Sequence, residues 1–427
     1  MQLTYFGNAM MLLKGKHSSV LCDPWVSFDR TSKSGLFTFP ELKLTRDDVR
    51  ALKPNFLYIT HTHEDHFDPA TLALFPKNQP ILVSWYPDNN FTERNVKALG
   101  FTDVRVADPE KGLPLNNGDH VWIEPNGIYE DVDSLASFQI DGWKILNAND
   151  NPYDENQCLN LKKRFGRFDL ACVPFSFQGP YPAFYENLSP DERAQEARKK
   201  GLRNYDQLAS YIKTLDPKLF LPFAAGAVYG GKKALMFPVY GVGTAHEAIE
   251  YVMQRHTTSE PVMISGCGIY DLAAKKALTP FEPVLYDDQI EYLRDIAGRP
   301  GPFDRGSLFH IEASERIDLT PLLARARERQ KMWQDRKEVK SDSVFFIDCG
   351  QEWLYRLCLG DLTVVRVKEA EIADAVYEIF RMPYSLLVGM LTRHYNYSNV
   401  KTQHMMFFRK PNIFNRDLHI LMSFLQL

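Results

Sequence analysis

The segment His61-Thr62-His63-Glu64-Asp65-His66 constrains this chain more than any other stretch. On an extended segment, side chains at positions i and i+2 point the same way, so His61 and His63 can bind one metal ion together. Asp65 and His66 come as the chain turns and can face a second position. Imidazole and carboxylate groups suit zinc, iron or manganese. The alternative is a polar loop with surface histidines, but this six-residue pattern is rare by chance.

The flanking residues predict where this cluster lies. The apolar run 56–60 is typical of a buried strand, and Asp68-Pro69 of a helix N-cap followed by proline at the first helical position. We therefore expect the histidines on a loop between the end of a strand and the start of a helix.

The wider pattern predicts a layered α/β sandwich over residues 1–275. Short β-rich runs open the chain, a hairpin is expected around Asp141-Gly142, and strands then alternate with helices. The composition changes after residue 274. Residues 276–427 are expected to form a smaller accessory α+β domain with a long helix from Thr320, three strands and a helix over 369–380.

Composition excludes several classes of protein. The 427 residues carry 50 Lys+Arg and 54 Asp+Glu, a net charge of -4, which does not fit a nucleic-acid binder. No run approaches the roughly 18 apolar residues of a membrane span, and no signal-peptide pattern opens the chain. The six cysteines are scattered without CxxC spacing, as in reduced proteins. We expect a cytoplasmic protein.

The motif His61-x-His63-x-Asp65-His66 resembles the metallo-β-lactamase fold superfamily. Gly7-Asn8-Ala9 and Cys22-Asp23-Pro24 are similar to that family's opening strands and its structural aspartate. The resemblance implies a four-layer αββα sandwich and one or two divalent metal ions, which are zinc, iron or manganese. It implies metal ligands at the following positions: His61, His63, Asp65, His66 and Asp150. Asp23 would orient the loop through hydrogen bonds.

One branch of the superfamily is more similar than the rest. Asp133-Ser134, the run 145–150, Arg203-Asn204-Tyr205 and Leu221-Pro222-Phe223-Ala224 resemble the CMP-N-acetylneuraminate hydroxylases. Those enzymes also carry a Rieske iron–sulfur domain. This chain has no CxH plus CxxH pattern, so an oxygenase reaction would need an external ferredoxin-type electron donor.

The resemblance also implies two later histidine ligands that the sequence lacks. One is expected near 127–131 and the other after a strand near 222, and neither segment contains histidine. Glu130 or Asp131 is the hypothetical replacement, because carboxylate oxygen also binds these metals. Tyr129 would serve less readily. His246 is an outside candidate, although its position at a helix start favours a capping or surface role.

The expected function is a metal-dependent hydrolase of a phosphodiester or amide bond. Its substrate would be a small polar molecule, such as a sugar nucleotide, attacked by a metal-activated water. Asp65 would orient or deprotonate that water, with Glu130 and Asp131 as further catalytic candidates. The alternative is a non-haem iron monooxygenase, and a third interpretation is a binding or scaffold protein that has lost its metal.

Overall fold

The computed structural model describes residues 1–28, 35–86, 90–125, 133–150, 154–256, 258–299, 311–395, 397, 401, 404–412 and 414–427. In chain order its strands are β1 Gln2–Gly7, β2 Met10–Lys14, β3 Ser19–Cys22, β4 Leu36–Thr38, β5 Phe56–Tyr58, β6 Ile81–Ser84, β7 Val104–Ala107, β8 Leu113–Pro114, β9 His120–Pro125, β10 Ser134–Ile140, β11 Trp143–Asn147, β12 Leu170–Pro174, β13 Leu219–Phe223, β14 Ala227–Tyr229, β15 Glu260–Pro261, β16 Gly268–Asp271, β17 Lys276–Ala277, β18 Val344–Asp348, β19 Leu354–Cys358, β20 Val364–Val367, β21 Tyr377–Arg381 and β22 Met406–Lys410.

The α-helices alternate with these strands. They are α1 Arg46–Ala51, α2 Pro69–Leu72, α3 Phe91–Ala98, α4 Glu155–Phe165, α5 Pro190–Leu215, α6 Ala245–Met253, α7 Ile290–Ala297, α8 Thr320–Arg336, α9 Tyr384–Leu391 and α10 Arg416–Met422. Short 3-10 helices lie at Asn116–Gly118, Gly231–Val239, Asp287–Gln289, Ala313–Glu315 and Glu369–Glu371.

Two large β-sheets pack face to face at the centre of the first part of the chain. Their strand orders are β17-β16-β1-β2-β3-β5-β6-β7 and β15-β13-β12-β11-β10-β9-β8. Apolar side chains from both sheets, such as Leu13 and Phe138, fill the space between them. Helices α1–α3 cover the outer face of the first sheet, and α4–α6 cover the outer face of the second. The predicted four-layer αββα sandwich is therefore confirmed.

Both sheets place parallel strands near the predicted site. In the first sheet β3, β5 and β6 run parallel, and in the second β11, β12 and β13 do the same. Helices make the crossovers between such strands, so successive strand ends meet at one edge of each sheet. Loops that follow β5 and β11 can therefore meet there.

The C-terminal part forms a separate five-stranded sheet in the order β20-β19-β18-β21-β22. The helix expected over 369–380 is wrong. Only Glu369–Glu371 forms a 3-10 turn, and Tyr377–Arg381 is the strand β21, hydrogen-bonded to β18 on one side and β22 on the other. Pairing with segments distant in the chain overrides the local helical pattern.

The C-terminal sheet packs against segments 181–188 and 228–240 of the first part through one shared apolar cluster. The Glu186 amide donates to the Phe407 carbonyl at 2.7 Å, and the Phe407 amide donates to the Phe184 carbonyl at 2.9 Å. Strand β17 (Lys276–Ala277) pairs with β16 and so belongs to the first sheet. The division of the chain at 275/276 stays a prediction.

Among the described residues, no helix combines the length and the apolar character needed to cross a lipid bilayer.

Candidate metal centre

The histidine cluster follows the end of strand β5, as the sequence predicts. The Ser134 hydroxyl donates to the Thr60 carbonyl at 2.7 Å and so fixes the chain just before the cluster. Asp68 then caps helix α2, its carboxylate accepting from the Ala70 and Thr71 amides at 3.1 and 3.0 Å. The six-residue loop is held at both ends, which limits the positions its side chains can take.

The first two histidines approach each other closely. His61 Nε2 lies 2.8 Å from His63 Nδ1, as the i, i+2 spacing predicts. The ring of His66 lies 4.2 Å from that of His61, measured between centroids. His61 and His66 are fully buried, whereas His63 is half-buried at the edge of a cavity. Three imidazoles therefore face one small volume.

Asp23 orients His66 from behind. Its Oδ2 lies 2.8 Å from His66 Nδ1 and accepts from the Thr60 hydroxyl at 2.7 Å, while Oδ1 accepts from the Thr60 amide at 2.8 Å. An ionised carboxylate can only accept. In the neutral form of His66 that could bind a metal ion, Nδ1 therefore carries the proton and Nε2 has the lone pair. That lone pair is directed into the cluster, as expected for a metal-binding histidine with a carboxylate partner.

Two carboxylates lie opposite this lone pair. His66 Nε2 is 3.4 Å from Asp150 Oδ2 and 3.6 Å from Asp65 Oδ2. Asp150 follows strand β11, where the left-handed residue Asn149, with φ at +56°, turns the chain. Asn8 donates to the Asp65 backbone carbonyl at 3.1 Å and to Asp65 Oδ2 at 3.3 Å. The five ligands expected from the sequence are therefore brought together.

A sixth candidate, Asp133, is one that the ligand prediction missed. It directly precedes β10, is buried, and places Oδ1 3.1 Å from His61 Nδ1. The sequence signal was present, because Asp133-Ser134 is one of the motifs shared with the hydroxylase branch. We used that motif for the resemblance but not for the ligand set. Glu130 and Asp131, the expected replacements for a missing histidine, lie outside the described residues.

These groups form two sets of two histidines and one carboxylate. One set is His61, His63 and Asp133, and the other is His61, His66 and Asp150, with the donor atoms of each set within 4.8 Å of one another. Two ligands at 2.0–2.1 Å from one ion lie roughly 2.9–3.4 Å apart for angles between 90° and 109°. The distances of 3.1 Å from Asp133 Oδ1 to His61 Nδ1 and of 3.4 Å from Asp150 Oδ2 to His66 Nε2 fall in that range. His63 approaches the other nitrogen of His61, Nε2.

Unsatisfied polar atoms support the same conclusion. His66 Nε2, Asp133 Oδ1 and Asp150 Oδ1 are buried and have no hydrogen-bond partner with acceptable geometry among the described residues. Leaving such atoms unpaired costs about 1–3 kcal/mol each. A divalent cation would satisfy them together, so the donor set fits a metal ion.

The electrostatics of the site are those of a cation-binding cluster. Burial opposes the charge on Asp150, but His66 and His61 outweigh it and hold the Asp150 pKa well below its usual range. Burial also opposes protonation of His66, yet Asp150 and Asp65 hold its pKa well above the ordinary value. Burial and repulsion by Asp150 raise the Asp133 pKa. A bound cation would replace the proton that these groups share.

A cavity of about 170 Å³ opens beside the cluster. His63, Asp65 and Asp150 form one wall, and Ala224, just after β13, and Tyr229, at the end of β14, also line the cavity. Phe177 and Gln178, from the aromatic segment 175–186, also line it, together with Lys401 of the C-terminal part. The cavity gives a small molecule access to the metal ligands.

Among the described residues that line the cavity near Ala224, none replaces the histidine expected after the strand near 222. Ala224 stands at the end of β13, in the left-handed region at φ +50°, and lines the cavity with only a methyl group. His246 is at the start of α6, with Nε2 3.2 Å from Glu250 Oε1, and is not among the cavity-lining residues that the structure describes. On the side of Ala224, the site therefore offers an open position.

Part of the chain is similar in sequence to known proteins. No protein-family model matches the chain. A Mycolicibacterium smegmatis protein, named as a Rieske 2Fe-2S iron–sulfur protein, is 29% identical over 236 residues, covering 52% of this chain and 43% of that protein. The cytidine monophosphate-N-acetylneuraminic acid hydroxylase of Danio rerio is 25% identical over 282 residues, covering 62% of this chain and 42% of that enzyme. The chain thus spans less than half the length of either relative.

Solved structures give weaker likenesses. Isothiocyanate hydrolase from Delia radicum gut bacteria has a TM-score of 0.46 at 15% identity, covering 64% of this chain and 99% of that one. CmlA, a diiron β-hydroxylase from Streptomyces venezuelae, has a TM-score of 0.42 at 19% identity, covering 61% of this chain and 52% of that one. The two face-to-face sheets with helices on both outer faces give the four-layer αββα architecture, and part of the chain is similar in sequence to the CMP-N-acetylneuraminic acid hydroxylases.

Proposed function

We propose that this chain is a non-haem iron hydroxylase that receives electrons from an external ferredoxin-type donor. The observation that carries the proposal is the pair of two-histidine, one-carboxylate ligand sets that share His61. Such sets with open positions are typical of non-haem iron oxygenases. Bound iron would supply the chemistry that activates dioxygen for insertion into a C–H bond.

Sequence likeness supports the same choice. The relatives at 25% and 23% identity, from Danio rerio and Mus musculus, are named as hydroxylases. Replacing a histidine ligand with Asp133 makes the donor set richer in oxygen. A set of two imidazoles and one carboxylate is the donor set of the non-haem iron oxygenases, and it does not require zinc.

The reaction must balance in atoms and electrons. A substrate RH, dioxygen, two electrons and two protons yield ROH and water, so a reductant is required in every turnover. The protein's own part is to hold the ligands, exclude bulk water and orient the substrate. Asp23 fixes the tautomer of His66 through the 2.8 Å contact between its Oδ2 and His66 Nδ1. Asn8 holds Asp65 by donating from its side-chain amide to Asp65 Oδ2 at 3.3 Å. The small cavity limits the group that can approach.

A metal-dependent hydrolase is the second candidate. The same kind of ligand set, two histidines and one carboxylate, also holds catalytic zinc, with water in the remaining position. In this case Asp65, whose side chain is 20% exposed, would orient or deprotonate the attacking water. The two candidates share every ligand and differ in the ion bound and in the need for electrons.

Metal analysis and oxygen uptake distinguish them. The protein is expressed in medium containing iron, zinc and manganese, and its metal content is measured by mass spectrometry. We expect iron, and dioxygen consumption after anaerobic reduction that is lost in His61→Ala. Zinc with phosphodiester or amide hydrolysis that is lost in Asp65→Ala would overturn the hydroxylase and favour the hydrolase.

A further inference from the structure

The cavity beside the metal ligands has an uneven distribution of charge. Glu64, Asp65 and Asp150 place carboxylates along the side of the histidine loop. Among the cavity-lining residues that the structure describes, Lys401 is the sole lysine or arginine. It comes from the C-terminal part, more than 300 residues after the histidine cluster. A cation at this position has no role in holding a metal.

Lys401 is not already engaged within the described part of the chain. Its Nζ lies 5.7 Å from the centre of the Tyr397 ring, and it makes no hydrogen bond or ion pair with another described residue. Burial lowers its pKa only to about 8, so the amine is still protonated at neutral pH. Lys401 is half-buried and no described residue forms an ion pair with it, so an anionic ligand would offset part of the cost of burying its charge.

Two other lysines near this region show the contrast. Lys233 Nζ donates to the Met405 carbonyl at 2.5 Å and lies 4.2 Å from the centre of the Phe184 ring. It is therefore committed to holding the two parts of the chain together. Lys232 is exposed and does not line the cavity. Neither lysine is therefore placed to meet a ligand in the cavity, whereas Lys401 lines it.

A buried polar network joins the C-terminal part, which carries Lys401, to the first part of the chain. Tyr397, four residues earlier, places its hydroxyl 2.6 Å from His419 Nδ1, and His419 Nε2 lies 2.8 Å from Glu378 Oε1. The same Glu378 oxygen accepts from the Tyr185 hydroxyl at 2.8 Å. Tyr185 belongs to the first part of the chain, so the network ties Tyr397 to the sandwich.

We propose that Lys401 binds a carboxylate or phosphate group of the small-molecule substrate, so that the C-terminal part supplies a specificity determinant to the metal site. The inference rests on the proposed function, since it takes the cavity to be the substrate site. The substrate would place its oxyanion at Lys401 and its reacting carbon towards His63 and Asp150. An uncharged substrate would leave the ammonium unpaired.

Anion titration tests this assignment without requiring turnover. Inorganic phosphate and acetate are titrated separately into zinc-loaded protein by calorimetry, with zinc chosen because it does not change oxidation state. Lys401→Met is compared with Lys401→Arg and with the matched exposed control Lys232→Met. We expect Lys401→Met to weaken binding by roughly tenfold to a hundredfold, the loss of one charge-assisted hydrogen bond. Lys401→Arg and Lys232→Met should stay close to the wild type.

The two anions separate the two kinds of substrate group. A larger effect on phosphate indicates a phosphate-bearing substrate, and a larger effect on acetate indicates a carboxylate. Wild-type anion affinity in Lys401→Met, with normal zinc content and circular dichroism, overturns the inference. Oxygen uptake is measured on the same iron-loaded variants. If the iron-loaded protein consumes no dioxygen while Lys401→Met still weakens anion binding, the proposed hydroxylation is wrong and the anion site is supported.

Discussion

The carboxylate of Asp23 controls which nitrogen of His66 faces the metal site, and Asp23→Asn tests that control. Asp23 is fully buried, accepts three hydrogen bonds from Thr60 and His66, and has φ at +40°, a region that asparagine tolerates. If the asparagine carbonyl takes the Thr60 amide, its NH2 group faces His66 Nδ1. His66 must then carry its proton on Nε2, the atom that lies 3.4 Å from Asp150 Oδ2.

A protonated Nε2 cannot bind a metal, so the free energy of binding falls by the cost of restoring the other tautomer. Loss of such a supporting group typically weakens metal affinity by roughly 10- to 100-fold. This corresponds to about 1.4–2.7 kcal/mol. That range agrees with the roughly 1.5–3 kcal/mol assigned to one hydrogen bond to a charged group.

The assay is competition for iron(II) or zinc between the apo-protein and a chromogenic chelator, under anaerobic conditions for iron. Asp141→Asn is the matched control, because Asp141 also has positive φ, at +51°, and lies in the turn between β10 and β11. We expect weakened affinity in Asp23→Asn, unchanged affinity in Asp141→Asn, and the same circular dichroism in both. Wild-type affinity in Asp23→Asn would show that His66 does not depend on this carboxylate for its orientation.

Three further substitutions test other parts of the account. Asp133→Ala removes a ligand from the set around His61 and should lower bound metal, measured by mass spectrometry, by about one equivalent per chain or less, without lowering thermal stability in chelator. Gly243→Ala should lower the free energy of unfolding by at least roughly 1–3 kcal/mol, because the added Cβ would lie 1.6 Å from the Tyr205 hydroxyl. Urea denaturation measures this change. Gly179→Ala is the control, because a Cβ at Gly179 would have no atom within 4 Å. Glu378→Ala leaves the buried Arg409 without its counter-charge and His419 without its hydrogen-bond acceptor, and should cost roughly 3–5 kcal/mol in the same assay. A change below that of the Gly179 control would contradict the buried network.

The histidine loop could be predicted from sequence because its information is local. The spacing of His61 and His63 and the signal at Asp68-Pro69 depend on neighbouring residues, and the 2.8 Å separation of the two imidazoles and the start of α2 follow from them. Asp150 was expected for a different reason, because the run 145–150 resembles that of the CMP-N-acetylneuraminate hydroxylases. Such local patterns can be interpreted without knowing which distant segments come into contact.

The rest depends on contacts between distant segments. Asp133 has a sequence signal only through the Asp133-Ser134 motif, and that motif does not show that β10 brings its carboxylate to His61. Strand β21 was mistaken for a helix because its partners, β18 and β22, are far away in the chain. Lys401 reaches the cavity through the packing of the C-terminal sheet on segment 181–188, which no pattern around Lys401 predicts.

The central claim is that His61, His63, His66, Asp133 and Asp150 hold iron that reacts with dioxygen. The most direct test is a paired measurement on the purified protein: bound metal by mass spectrometry, then dioxygen uptake after anaerobic reduction. We expect one or two equivalents of iron per chain and dioxygen uptake that depends on the reductant. Zinc in place of iron, or stoichiometric iron with no dioxygen consumption in the reduced protein, would contradict it.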